Sequence, residues 1–175
     1  WMIYSATDRN GPFVLLDSVK TYSTTTYTHV GANANNQPMH YVVRSRSGCK
    51  GIVQNIAKDT ISTIFVSAST NPTNVAVNWN AISNPNPVGS AAQYRVFREY
   101  PIGTGLNLYQ STANTSLTET FTPCTDDVNY RVELVNASKS CTSSSNILNY
   151  TFKFPDPQTN FSFLNNQCPG TPISF

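Results

Sequence analysis

Short runs of alternating apolar and polar residues recur along the chain, and this pattern is typical of β-strands that are buried on one face. The clearest run is Asn74–Asn80, in which Val75, Val77 and Trp79 share one phase. The same pattern predicts seven strands, at Ser62–Ser69, Asn74–Asn80, Gln93–Tyr100, Leu106–Ser111, Leu117–Thr122, Val128–Asn136 and Asn146–Phe154. Short strands separated by turn residues predict an all-β protein and, within it, a two-sheet Ig-like sandwich.

The apolar phases of these strands predict one core. Trp79 has an alternative role as a stacking surface for a sugar, but a Trp in the apolar phase of an alternating strand is more often a core residue. We therefore expect Trp79 to be buried against Tyr94 or Tyr130. The other residues predicted to face the core are Val75, Val77, Val96, Val132 and Leu134.

The chain resembles itself at an offset of roughly 90 residues. Trp1, Ile3 and Tyr4 correspond to Tyr94, Val96 and Phe97, and further matches pair Tyr27 with the region of Phe121, Tyr41 with Tyr130, Val43 with Val132 and Cys49 with Cys141. The two strands predicted before Tyr94 have no counterpart before Trp1, and FPDPQTN at residues 154–160 resembles a linker.

This repeat predicts tandem sandwiches that are truncated at both ends. We expect residues 1–54 to be the C-terminal part of one domain, residues 55–153 to be a complete domain, and residues 154–175 to be a linker with the first strands of a third. Residues 1–54 should then present an open sheet, which is an aggregation hazard in an isolated fragment.

Composition narrows the classes of function. Charged residues are only 11% of the chain and the net charge is +2, from scattered Lys and Arg, so no basic patch for a nucleic acid is predicted. Ser, Thr and Asn supply roughly a third of the residues, far more than in an average cytosolic protein. No apolar run reaches the roughly 18 residues that a membrane span needs.

Cysteine placement favours an oxidising compartment and one disulfide. Cys124 and Cys141 flank the strand predicted at Val128–Asn136, so a returning chain brings them together; two free thiols are the alternative. Any partners of Cys49 and Cys168 are expected outside this sequence. His29, His40 and Cys49 lack the short spacing of zinc ligands, and no catalytic or phosphate-binding motif occurs. We expect no enzyme activity, no cofactor and no metal.

The strands NWN, QYRVFRE and NYRVEL resemble those of fibronectin type III modules, and their combination with TISTIFVSAS, YRVFREYPIG and CTSSSNI resembles modules of large surface proteins of gliding Bacteroidota. The final segment, PDPQTNFSFLNNQCPGTPISF, resembles the entry into a PKD-like module. The resemblance implies an extracellular, outer-membrane-associated protein exported by the type IX system. Its implied partners are neighbouring modules of a longer chain, surface glycans and other surface or secretion proteins.

Two functions follow from these patterns. The first is a structural or adhesive segment of a surface protein or filament. The alternative is an accessory module of an exported enzyme that binds carbohydrate or another ligand, with Tyr22, Tyr100 and Tyr109 as the candidate aromatic contacts. The resemblance also implies O-linked sugars at Ser18 and Thr60, each of which follows an Asp and precedes an apolar residue.

Overall fold

The computed structural model describes residues 1–46, 53–54, 60–71, 74–82, 93–120, 127–136 and 141–151. These residues contain β-strands and no helix, and all strand pairs are antiparallel, so the protein is all-β. In chain order the strands are β1 (Met2–Ala6), β2 (Val14–Ser18), β3 (His40–Arg46), β4 (Val53–Gln54), β5 (Ile61–Ser62), β6 (Val66–Asn71), β7 (Asn74–Trp79), β8 (Tyr94–Glu99), β9 (Asn107–Thr112), β10 (Ser116–Thr120), β11 (Asp127–Asn136), β12 (Cys141–Ser144) and β13 (Leu148–Thr151).

The second half of the described chain forms an Ig-like sandwich of two sheets. One sheet has the order β10-β7-β6, and the other has the order β12-β11-β8-β9 with β13 also paired to β11. Alternation along β7, β8 and β11 sends every second side chain between the sheets, where it leaves water. The buried core consists of Ile64, Val66, Val75, Val77, Trp79, Tyr94, Val96, Val128, Tyr130, Val132 and Leu134.

Trp79 lies in this core as predicted. It is buried, and its ring meets that of Tyr94 edge-on with 5.7 Å between the ring centres. Edge-to-face packing is a favourable arrangement for two aromatic rings. The prediction of a core Trp is therefore confirmed, and the sugar-stacking role does not fall on this side chain.

The first sheet repeats one sheet of the sandwich. Its order is β2-β1-β3-β4 with β5 paired to β3, which matches β9-β8-β11-β12 with β13 paired to β11. Registers agree as well, because Ile3 lies opposite Val43 as Val96 lies opposite Val132. The internal repeat predicted from the sequence is thus confirmed for these strand pairs.

The face of the first sheet that corresponds to the core face of the sandwich is partly open. Trp1 and Val43 are 46% and 38% exposed, whereas their counterparts Tyr94 and Val132 are buried in the core. Ile3, which shares this face with Val43, is buried, and the open sheet expected for residues 1–54 stays a prediction.

Two strands differ from their sequence-based bounds. The strand predicted at Ser62–Ser69 is divided, because Ile61–Ser62 pair with β3 in the first sheet and Val66–Asn71 pair with β7. The first sheet therefore includes residues beyond 54, where its end was expected. The strand predicted at Asn146–Phe154 corresponds to β13, and β12, which the pattern did not predict, pairs with the other end of the long strand β11.

Hydrogen bonds hold Thr63 and Phe65 in the short segment between β5 of the first sheet and β6 of the sandwich. Thr63 donates its N–H to the Met39 carbonyl (2.9 Å), and its Oγ1 accepts from the Met39 N–H (2.9 Å). The Asn80 side chain then bridges the next residues, donating to the Thr63 carbonyl (3.0 Å) and accepting from the Phe65 N–H (2.7 Å). Ile64, directly after Thr63, is already buried in the sandwich core.

Candidate functional site

One guanidinium group organises the most elaborate cluster of polar and aromatic side chains in the described part of the chain. Arg98, near the end of β8, lies over the ring of Tyr109 at 4.2 Å and near that of Tyr100 at 5.6 Å, measured to the ring centres. Both rings reach solvent, at 39% exposure for Tyr100 and 41% for Tyr109. The structure therefore brings together two of the three tyrosines that the sequence proposed as ligand contacts.

A buried carboxylate holds Arg98 from the opposite sheet. Glu119 on β10 is only 7% exposed and forms an ion pair with the guanidinium Nη1. Its second oxygen accepts a hydrogen bond from the Tyr130 hydroxyl at 2.6 Å. Because each Glu119 oxygen has a partner and one of them is charged, the carboxylate is stable as an anion between the sheets.

The backbone of β9 aims Tyr109 at this cluster. Leu108 and Gln110 lie opposite the adjacent residues Phe97 and Val96, so Tyr109 is an extra residue without a partner on β8. Such a β-bulge bends the strand and redirects a side chain.

The loop that carries Tyr100 is fixed by Glu99. One Glu99 oxygen accepts from the N–H groups of Gly103 (2.8 Å) and Gly105 (3.1 Å), and the other accepts from the Asn129 amide (2.8 Å). Gly103 and Gly105 have φ values of 94° and 78°, which favour glycine because it has no Cβ. These bonds, led by the one from Asn129, lower the pKa of the Glu99 carboxyl.

Tyr130 is held in its neutral form. Burial raises the pKa of its hydroxyl far above the ordinary value of a tyrosine, and the nearby positive charge of Arg98 offsets this only in part. The hydroxyl is therefore a permanent donor to Glu119 rather than a group that exchanges protons near neutral pH. The cluster is suited to holding side chains in place.

The first sheet has the same bulge without this cluster. Leu16 is the extra residue of β2, because Leu15 and Asp17 lie opposite Tyr4 and Ile3. Leu16 thus occupies the position of Tyr109. Ser5, opposite Tyr41, occupies the position of Arg98, which lies opposite Tyr130.

The outer faces of the first sheet and of the β12-β11-β8-β9 sheet each have a cation–aromatic contact. Arg44 lies over Tyr4 at 4.7 Å, and Arg131 lies over Phe97 at 5.0 Å, at the two ring positions that the internal repeat equates. Contacts of this kind stabilise by about 0.5–1 kcal/mol at exposed sites. They belong to the scaffold, since both sheets have them.

The remaining residues proposed from the sequence do not join the Arg98 cluster. Tyr22 is 90% exposed in the segment between β2 and β3. Ser18 is exposed at the end of β2, and Thr60 is half-buried directly before β5, so the O-glycosylation of both residues stays a prediction. Cys49, Cys124 and Cys168, and the side chain of Cys141, lie outside the described residues, and the Cys124–Cys141 disulfide also stays a prediction.

Glu119 and Arg98 were not predicted as members of a site. A signal was present, because Glu119 shares the inward phase of β10 with Leu117, and Arg98 shares that of β8 with Tyr94 and Val96. Two opposite charges on inward phases of facing strands indicate a buried pair. The bulge at Tyr109 had no such signal in NLYQST.

The described residues contain no cluster of three or more His, Cys, Asp or Glu side chains that could hold a metal ion. None of the described residues forms a helix that could span a membrane. A scan against protein-family models found no match, and a search of curated proteins found none either.

Proposed function

We propose that this chain is a structural segment of a longer extracellular protein, in which tandem β-sandwich modules are joined by short, rigid connections. The observation that carries the proposal is the short connection between β5, which belongs to the first sheet, and the buried core of the sandwich. Ser62 is paired with His40 in β3, and Ile64 is buried in the sandwich, so Thr63 alone separates them.

On this proposal, the hydrogen bonds of the junction make it resist bending. Thr63 is tied to Met39 on one side and to Asn80 on the other, and Phe65 is tied to Asn80. A pivot between the two sheets must break several of these bonds, each with a net value of about 1 kcal/mol. Flexible linkers have the opposite design, with polar residues whose backbone is solvated.

A surface rich in Ser, Thr and Asn and poor in charge supports an extracellular role, as does the resemblance to fibronectin type III modules. The sheet order β12-β11-β8-β9 facing β10-β7-β6 supports the same resemblance. On this proposal the segment serves as a stalk or filament element of a Bacteroidota surface protein exported by the type IX system, and it has no catalytic step of its own.

Residual dipolar couplings of the intact chain test the stiff junction. One alignment tensor should fit the amides of β1–β3 and those of β7–β11 together. Insertion of four glycines after Thr63 should separate the two tensors, whereas the same insertion between Asn33 and Ala34, in a segment between strands, should leave one tensor. Two independent tensors in the unaltered chain would overturn the proposal.

A further inference from the structure

We propose that Tyr100 and Tyr109 form a binding platform for a neutral carbohydrate. This site is independent of the stiff junction, because both rings lie on the sandwich at the edge formed by β9 and the preceding loop. Both are large exposed aromatics, and a single guanidinium contacts them from the protein side.

The rings are held before any ligand arrives. Arg98 covers one face of the Tyr109 ring and is itself fixed by the buried Glu119, so the exposed part of the ring keeps a constant orientation. Tyr100 begins the loop that Glu99 ties down through Gly103 and Gly105. A fixed platform loses little conformational entropy on binding, and this improves affinity.

The charge around the platform favours a neutral ligand. The charge of Arg98 is compensated by Glu119, and that of Glu99 is distributed over three N–H donors. Strand β9, which reads NLYQST, has no ionisable residue apart from Tyr109. An anion gains little from a guanidinium that is already paired, and among the described residues of this edge a cation meets no unpaired carboxylate.

A sugar ring matches the remaining chemistry. Its C–H face is apolar and packs on an aromatic ring, while its hydroxyls bond to amide groups such as that of Gln110, which follows Tyr109 on the same edge strand and is exposed. An aliphatic or purely aromatic ligand would form no hydrogen bond with this polar side chain.

The repeat shows that the platform is not needed for the sheet to form. The first sheet has the same strand order and the same bulge with Leu16 and Ser5 in place of Tyr109 and Arg98. The substitution Tyr109→Leu therefore copies a side chain that this backbone already accepts. It removes the aromatic face and keeps the fold.

The test titrates the whole chain with neutral oligosaccharides (cellohexaose, mannohexaose and maltohexaose) and with an acidic one, hexagalacturonate, following backbone amide shifts by NMR. Binding of a neutral sugar should perturb residues of β9 and the Tyr100 loop. Tyr109→Leu and Tyr100→Ala should each weaken it by about tenfold. Tyr22→Ala, which removes a more exposed tyrosine between β2 and β3, should have no effect.

Three results would overturn the proposal: no binding of any neutral sugar, binding of the acidic sugar alone, or neutral-sugar binding that survives both platform variants. Thermal unfolding of each variant shows whether a loss of binding reflects a loss of folding, and the amide shifts of β6 and β7, remote from the platform, provide the same check residue by residue. Failure here leaves the stiff junction untouched, since its test measures alignment alone.

Discussion

At the scale of single residues, the ion pair between Arg98 and Glu119 combines burial with partial solvation. Glu119 is buried, while a quarter of the Arg98 side chain remains exposed. Replacing one partner of a buried pair leaves the other charge without compensation, which is more costly than losing the pair itself. The pair therefore links the stability of the two sheets of the sandwich on the side where β9 and β10 are their edge strands.

We expect Glu119→Ala to destabilise the sandwich by about 2–3 kcal/mol, because it removes a charged acceptor of both Arg98 and Tyr130. The matched control is Glu133→Ala. Glu133 pairs with Arg131 on the outer face, where both side chains are partly exposed, and its loss should cost about 1 kcal/mol or less. Urea unfolding followed by the emission of the buried Trp79 measures both. Equal costs would show that Glu119 is no more than a surface partner.

At the scale of strands, alternation predicted the existence and phase of β7, β8 and β11 because their inward residues are uniformly apolar or aromatic. It missed β12, whose sequence CTSS has no apolar alternation and is a strand only because it pairs with the end of β11. It also ran β5 and β6 together, since STIFVSAS reads as one strand until pairing with two different sheets divides it. Pairing partners are a tertiary property that a local pattern does not contain.

The candidate site was also predictable only in part. Tyr100 and Tyr109 were predictable as exposed aromatics at strand ends and edges, but their approach to one guanidinium depends on the bulge in β9. A bulge changes which side chains meet without changing residue types, so the sequence left Tyr22 as an equal candidate.

The Asn146 side chain bonds to the backbone of Val66 as a neighbouring strand would, and it thereby links the two sheets of the sandwich. Its side-chain amide accepts from the Val66 N–H (2.8 Å) and donates to the Val66 carbonyl (3.1 Å). We expect Asn146→Ala to cost about 2 kcal/mol, because two backbone groups of a fully buried residue lose their partner. Hydrogen exchange at the Val66 amide should become faster by more than that at the neighbouring Ser67. The exposed Asn149→Ala is the control and should slow or speed neither amide.

The junction between the two sheets should weaken in acid through His40. This buried side chain shares a hydrogen bond of 2.7 Å with the Ser62 hydroxyl, and burial lowers its pKa, with a smaller opposing effect from Asp8 and a smaller supporting one from Arg9. The unfolded chain takes up the proton near pH 6.5, whereas the folded chain does so only at lower pH. Stability from this group is therefore full above about pH 6.5 and declines as the pH falls below it.

Hydrogen exchange at the Thr63 amide, compared at pH 7.5 and pH 5.5 after correction for intrinsic rates, measures this effect. Protection should fall at the lower pH in the unaltered chain, and His40→Gln should remove most of that pH dependence. The same fall in both proteins would assign the effect to other groups. His29, whose Nδ1 lies 2.9 Å from the Tyr41 hydroxyl, provides the matched control as His29→Gln.

At the scale of the whole molecule, the first sheet and the β12-β11-β8-β9 sheet of the sandwich each end in an edge strand with exposed apolar side chains. Val14 and Leu15 are exposed on β2, and Leu108 and Tyr109 are exposed on β9. Neither strand has a Lys or a Pro, which proteins often use to block pairing between edges. The bulge in each strand gives some protection, because it interrupts the regular row of backbone groups.

We expect β2 to be the stronger site of self-association, because the first sheet also has two exposed apolar side chains, Trp1 and Val43, on one face. Leu15→Lys places a charge on this edge strand and should reduce the association constant by about tenfold without lowering the melting temperature. Light scattering over a range of protein concentrations measures the association. Leu108→Lys should have a smaller effect because its sheet is covered by β10-β7-β6, and Thr28→Lys, at an exposed position between β2 and β3, controls for added charge alone. If Thr28→Lys disperses the protein as well as Leu15→Lys does, net charge and not the edge of β2 governs the association.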